Sequence, residues 1–243
     1  MAIFAALRWE CRPVLRRLRQ SQRNRLDAFT VWRGRTTHHD VWLMKTGVGP
    51  DRAAQAAQAM ISAGPFHLFM STGCAGALAD DLNPGDLAVA TRVLADPAGP
   101  LFETDSVTRE GINRAATRAA LRTSMGPVLC SPHVLVTTAA KRAAAAHGSV
   151  AVEMEGVPIA ACAAAHGVPF VSVRAILDSA DTELQHSGRF VEPQTGAIKP
   201  LALAGYLASH PRAFGDLLAL QRMMNTAEHS LNRFFDAWFA EEP

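Results

Sequence analysis

The sequence lacks a long apolar run, a surplus of charge, paired cysteines and any metal-ligand spacing, and each absence removes a class of function. No hydrophobic stretch reaches membrane-spanning length. The 24 Lys and Arg against 22 Asp and Glu leave a formal net charge of only +2, which argues against a general nucleic-acid binder. The four cysteines, Cys11, Cys74, Cys130 and Cys162, are scattered without a CxxC pair, as expected of reduced thiols in a cytoplasmic protein. Met1 to Leu7 is apolar but short and runs into arginines, unlike a secretory leader. None of the nine histidines shows HxxxH spacing, and the cysteines complete no ligand set, so no metal is expected. No GxGxxG follows the first strand, which disfavours a dinucleotide-dependent oxidoreductase. No internal repeat of 20–50 residues is present.

What is present is a well-filled core. Hydrophobic residues make up 49% of the 243, with a mean hydropathy of +0.05, and this suits one large α/β domain. Strand candidates are Ala2–Leu7, Ala28–Arg33, Val41–Lys45, Phe66–Met70, Leu87–Leu94 and Val128–Ser131. Helical patterns cover Arg12–Arg19, Asp51–Ser62, Thr108–Ser124, Ala139–His147, Leu201–Ser209 and Arg212–Phe239. The small residues from Ser71 to Leu78 read as a loop able to line a ligand closely, and Asp96–Pro100 as another loop. Arg12, Arg16, Arg17, Arg19, Arg23 and Arg25 read as a solvated helix face, with an anionic partner or membrane surface as the alternative.

The most informative stretch is Ser149 to Gly156, taken with Val171 to Asp178. Each is a strand-like run with carboxylates at its end, Glu153 and Glu155 in the first and Asp178 in the second. The Ala-rich segment Val157–His166 between them is helical, so the expectation is a parallel strand–helix–strand crossover. Ligands collect at the carboxyl ends of strands in open α/β sheets, so Glu155 and Asp178 are expected at one pocket. The polar segment Ser179–Ile198 follows directly and suits a flap over that site.

Four segments give a resemblance. They are Ala5–Glu10, Lys45–Gly49, Ser71–Gly76, and the pair Val152–Glu155 with Arg174–Asp178. In order and spacing they are similar to the superfamily of purine nucleoside phosphorylase, uridine phosphorylase and methylthioadenosine/S-adenosylhomocysteine nucleosidase. The tail resembles one branch, the hopanoid-biosynthesis-associated phosphorylase.

The resemblance implies an α/β fold of three layers, a mixed central sheet flanked by helices, with a helical C-terminal appendage. It implies a single domain over 1–243, with a catalytic core to about 182 and a flap and helices over 183–243. It also implies cleavage of a purine N-glycosidic bond, with adenosylhopane as substrate, or else a small 5′-methylthioadenosine-type nucleoside. A catalytically silent nucleoside-binding protein is the alternative of a different class.

Residue by residue, Asp178 matches the acid that protonates the departing purine at N7. Glu155 matches the clamp on the ribose hydroxyls, Met154 packs on the sugar, and Glu153 lies beside base and sugar. Cys74, Ala75 and Gly76 line the ligand, with Cys74 where relatives carry Ser. Val134 and Leu135 stand in the base-stacking segment without an aromatic ring, with His133 beside them. Glu10 matches the residue that positions water in nucleosidases. Arg8, with the Gly47 and Gly49 amides, would hold phosphate in a phosphorylase, so inorganic phosphate is the alternative co-substrate; no other cofactor is implied. The partners implied are a small-molecule or lipid-linked purine nucleoside, no nucleic acid, and a second copy of the chain in a homodimer. The implied location is cytoplasmic, or peripheral at the inner face of the membrane. The Met223-Met224 and Phe234-Phe235 pairs are candidates for a greasy wall around a lipid substituent, or for a buried helix face.

Overall fold

The structure is a computed structural model and describes residues 1–95, 99–183 and 213–241, without the side chains of Ala213, Phe214, Asp216 and Leu217. The helix expected over Leu201–Ser209, most of the expected flap and the centre of the Asp96–Pro100 loop lie outside the described residues.

Among the described residues, ten strands form one mixed sheet. They are β1 (Ala2–Ala5), β2 (Arg19–Leu26), β3 (Phe29–Arg35), β4 (Asp40–Lys45), β5 (Phe69–Ala77), β6 (Leu87–Leu94), β7 (Leu101–Glu103), β8 (Thr123–Cys130), β9 (Ala151–Glu153) and β10 (Phe170–Asp178). The order is β10-β6-β8-β9-β5-β1-β4-β3-β2, and β10 also pairs with β5. That extra pairing closes β10, β6, β8, β9 and β5 into a ring, from which β1, β4, β3 and β2 extend as an arm. Six helices are described: α1 (Arg8–Leu15), α2 (Pro50–Ser62), α3 (Ser106–Arg118), α4 (Thr138–Ala145), α5 (Gly156–Ala165) and α6 (Ala213–Phe239).

Two apolar layers hold the sheet. On one side α2 and α5 bring Ala53, Ala56, Ala57, Met60, Ile159 and Ala163 against Phe4, Met44 and Phe69. Alanine on both helices permits their close approach. On the other side α1, α3 and α6 cover Ile3, Leu43, Val171 and Val173. In α6 the residues Ala227, Leu231, Phe234, Phe235 and Trp238 recur at helical spacing and are buried. Phe234 and Phe235 are 0% exposed, so they form core and no substrate wall; Met223 and Met224 stay partly exposed.

The basic cluster is divided between two elements. Arg12 and Arg16 reach Glu228 of α6 at 3.4 and 3.6 Å, and Arg17 bonds Asp236 and Asn232, which clips α1 to α6. Arg19, Arg23 and Arg25 lie on β2, an exposed edge strand, where bulky cations discourage pairing with another chain. The helix expected over Arg12–Arg19 therefore sits earlier, and its last predicted residue begins a strand. β2 has no apolar alternation because neither of its faces is buried.

Three further readings are corrected. The Ser71–Leu78 loop is mostly strand, since β10 pairs it from Phe69 to Gly76 and supplies the hydrogen bonds a loop would lack. The helix expected to run to Ser124 ends at Arg118, and β8 begins at Thr123. Finally, β9 is antiparallel to β5 while β10 is parallel to it, so β9-α5-β10 is not a parallel crossover.

Candidate active site

This antiparallel arrangement creates the site. Along its N-terminal half, β5 pairs with β1 through Phe69, Met70 and Ser71. At its C-terminal end it pairs instead with β9, Gly76 opposite Val152 and Ala77 opposite Ala151. Between Thr72 and Ala75 it has β10 on one side and a fork on the other. The end of β1 enters the fork from below and leads into α1, which carries Glu10. The end of β9 enters from the opposite direction and delivers Glu153, Met154 and Glu155. A gap where neighbouring strands part is where α/β sheets admit ligands.

Among the described residues, four charged groups converge on the fork, all buried: Glu10, Glu153, Glu155 and Arg174. Arg174 projects from β10 at the position opposite Gly73. Its Nη2 donates to Ser71 Oγ at 2.6 Å and to Glu153 Oε2, and its Nη1 donates to the Thr72 carbonyl at 3.2 Å. Glu155 Oε2 is 3.8 Å from the same Nη1.

Glu10 accepts from the Leu7 amide at 2.8 Å and from the Cys74 amide at 2.9 Å. Gly73 makes room for this contact. A Cβ there would lie 2.6 Å from Glu10 Oε1 and 2.9 Å from Arg174 Nη1, and its φ of +145° disfavours any side chain.

Glu153 and Glu155 are adjacent in type but not in task. Glu153 accepts from the Glu155 amide at 3.0 Å and the Gly156 amide at 2.8 Å, so it caps α5 as well as pairing with Arg174. Its oxygens are committed to the scaffold. Glu155 instead accepts from the Gly49 amide at 2.9 Å.

Three carboxylates against one guanidinium is an unbalanced set. Burial, with Glu153 and Glu10 nearby, pushes Glu155 from its ordinary 4.5 up to about 7, although Arg174 and the Gly49 amide oppose the rise. Between pH 4.5 and 7 the unfolded chain ionises this residue while the folded chain keeps it protonated, so stability falls as pH rises. The expected loss is roughly 3 kcal/mol across that window. Glu155→Gln lacks the titration, so urea unfolding at pH 4.5 and 7.5 should show wild type losing stability relative to the variant. Parallel pH curves would refute this.

Asp178 lies four residues beyond Arg174 on β10, roughly 13 Å along the strand, past an irregularity between Ile176 and Asp178. It is 2% exposed, and a Cβ on Gly76 would come within 3.4 Å of its Oδ2. Burial raises its pKa, and an ion pair with Lys141 of α4 works against that rise. Cys74 and Gly76 share a face of β5, and both are partly open, as is Met154, while Ala75 is buried. Burial and Glu10 push the Cys74 thiol well above its ordinary value, so it stays protonated.

Leu135 packs with Leu78, Leu129 and Val152 beside the fork, whereas Val134 is 49% exposed and His133 is also exposed. Arg8 is exposed on α1 and is not brought into the cluster. The Gly47 amide donates to the Ala6 carbonyl at 3.1 Å and the Gly49 amide to Glu155, so neither is free for phosphate.

Sequence reasoning assigned no role to Arg174 or Lys141. The signal for Arg174 was available: a cation within the otherwise apolar run Val173–Leu177 must find buried partners. Among the described residues no group of three or more His, Cys, Asp or Glu is arranged to hold a metal ion, and no helix is long and apolar enough to cross a membrane.

The Phosphorylase superfamily profile matches residues 1–199. The chain belongs to that superfamily. Within it, the 5′-methylthioadenosine/S-adenosylhomocysteine nucleosidase of Glaesserella parasuis is 27% identical over 200 residues, covering 75% of this chain and 87% of the relative. The nucleosidase of the same name from Haemophilus ducreyi is 29% identical over 168 residues, covering 62% and 72%. Among solved structures, the Neisseria meningitidis nucleosidase of that name, in complex with methylthio-immucillin-A, aligns with a TM-score of 0.76 at 20% identity, covering 98% of this chain and 97% of that one. Futalosine hydrolase of Helicobacter pylori aligns equally well, with a TM-score of 0.76 at 18% identity, covering 98% and 95%. These likenesses establish the superfamily fold, an α/β fold with a mixed sheet flanked by helices and a C-terminal helix.

Proposed function

We propose that the protein hydrolyses the N-glycosidic bond of a small 5′-substituted adenine nucleoside of the 5′-methylthioadenosine or S-adenosylhomocysteine type. Cleavage leaves positive charge on the ribosyl carbon and negative charge on the departing base. Asp178, lifted by burial, is the acid that gives a proton to purine N7. Glu155 holds the ribose hydroxyls, and as it ionises it favours the cationic sugar. Glu10 accepts a hydrogen bond from the attacking water and holds it against the sugar. Met154 and Leu135 supply apolar contact.

Water is preferred over phosphate because of one observation: among the described residues, the buried fork carries three carboxylates and a single guanidinium already engaged by Glu153, Ser71 and Thr72. A phosphate dianion brought there meets net negative charge and no unengaged amide at Gly47 or Gly49. The small-molecule substrate is supported by the matched nucleosidases. The lipid-linked substituent has no comparable support, since the Phe234-Phe235 pair that was to line its path is buried in the core.

The test is product analysis with 5′-methylthioadenosine in the presence and absence of phosphate. Adenine and free methylthioribose should appear at equal rates in both. A sugar phosphate formed only when phosphate is supplied would establish phosphorolysis instead.

A further inference from the structure

Lys141 is the largest feature of the site without an assigned task. It is 1% exposed, on α4, and its Nζ donates to Asp178 Oδ2, to the Ser179 carbonyl at 2.7 Å and to the Thr182 carbonyl at 2.9 Å. An ammonium has three N–H donors, and here all three meet oxygens. Such a set suits the charged form. A buried lysine held this way fixes which carboxyl oxygen of Asp178 is occupied, and it joins the acid to the Ser179–Thr182 turn.

We propose that Lys141 is a positioning residue that makes Asp178 a stronger acid for the glycosidic cleavage. It binds Oδ2, leaving Oδ1 for the purine, and it meets the negative charge that appears on the carboxyl as the proton departs. In that step the Asp178 O–H bond breaks and the N7–H bond forms. The electron pair of the sugar–base bond goes to the purine, and Asp178 is left as a carboxylate beside the ammonium. Solvent restores the proton after product leaves. This inference rests on the reading of Asp178 as the acid.

Among the described residues, the other charged groups around the pair do not replace Lys141. Asp181, in the following turn, accepts from Ser179 Oγ at 2.6 Å and is exposed, and Glu183 follows that turn. Arg142, the next residue on α4, is exposed. On β9, Glu153 is held by Arg174, and on β5 the nearest titratable group is the protonated Cys74 thiol.

The test uses Lys141→Met, Lys141→Gln and Lys141→Arg in the full chain, with 5′-methylthioadenosine as substrate. Activity requires a protonated Asp178, so it is lost as pH rises through the acid's pKa. Without the cation that pKa rises, and the alkaline limb should move up by about one pH unit or more in the Met and Gln variants. Their kcat should fall about tenfold or more, within the general-acid contribution, while KM stays within about twofold. The Arg variant should keep the wild-type limb. An unmoved limb in folded Met or Gln variants, or a raised KM with unchanged kcat, overturns the proposal. Should neither uncharged variant fold, ¹⁵N NMR of the unsubstituted protein decides. Lys141 is expected as an ammonium across the active pH range, and a neutral amine there is contrary. Activity in Asp178→Asn would remove the acid assignment itself. An inactive Asp178→Asn with unmoved Lys141 limbs would remove only the role of Lys141.

Discussion

Asp178→Asn should reduce adenine release by about 10²–10⁴-fold while the chain remains folded. The amide oxygen still accepts from Lys141, so the buried ammonium keeps an acceptor, but no proton is available for the purine. Alanine is the less informative change at this position. It would leave Lys141 buried with two carbonyls and no third acceptor, and losing a hydrogen bond to a buried charged group costs roughly 1.5–3 kcal/mol. Loss of activity in Asp178→Ala would therefore mix chemistry with unfolding. Steady-state rates for the Asn variant, with its urea midpoint measured beside wild type, separate the two effects. A near-wild-type rate is the contrary result.

Arg174→Met should destabilise the protein by roughly 3–5 kcal/mol. Arg174 is the cation shared by the buried carboxylates at the fork, and it also bonds the Thr72 carbonyl and the Ser71 hydroxyl. Without it the buried carboxylates of Glu153, Glu155 and Glu10 lose their shared cation, and Glu155, already pushed up to about 7 by burial, is driven further towards its protonated form. The deficit should therefore shrink as pH falls towards 5. Lysine is a poor substitute because its ammonium cannot reproduce the planar fork that reaches Ser71, Thr72 and Glu153 together. Urea unfolding at pH 5 and pH 8 measures both effects. A loss below about 1 kcal/mol at pH 8 would contradict a central role for this residue.

Local chemistry made parts of the fold legible in the sequence. Leu87–Leu94 reads as a strand from its apolar run, and Asp51–Ser62 reads as a helix from its Ala and Gln content after a glycine turn. The long C-terminal helix is visible in its 3.6-residue period, which marks the buried Leu231, Phe234, Phe235 and Trp238 but also Leu218, which is 44% exposed. What failed depends on distant partners. β2 has no buried face to leave a pattern, and Ser71–Ala77 becomes strand only because β10 lies along it. The direction of β9 relative to β10 is set by the ring closure, which no window of sequence contains.

The same division holds for the site. Glu155 and Asp178 close strand-like runs, so type and position made them candidates, whereas Glu10, on α1, and Glu153 became candidates only through the resemblance. Their tasks were less visible. Glu153 reads in sequence as a carboxylate beside base and sugar, yet it caps α5 and pairs with Arg174. Arg8 reads as an anion ligand, yet it lies on the exposed side of α1. Lys141 sits among alanines on a short helix, and only the packing of α4 against the end of β10 buries it.

The most direct measurement is a crystal structure with a non-cleavable analogue of 5′-methylthioadenosine. The purine N7 is expected within hydrogen-bonding distance of the Asp178 carboxyl, with the ribose hydroxyls on Glu155 and a water between Glu10 and the anomeric position. An analogue bound elsewhere, or one whose base and sugar leave Asp178 and Glu155 untouched, would contradict the assignment.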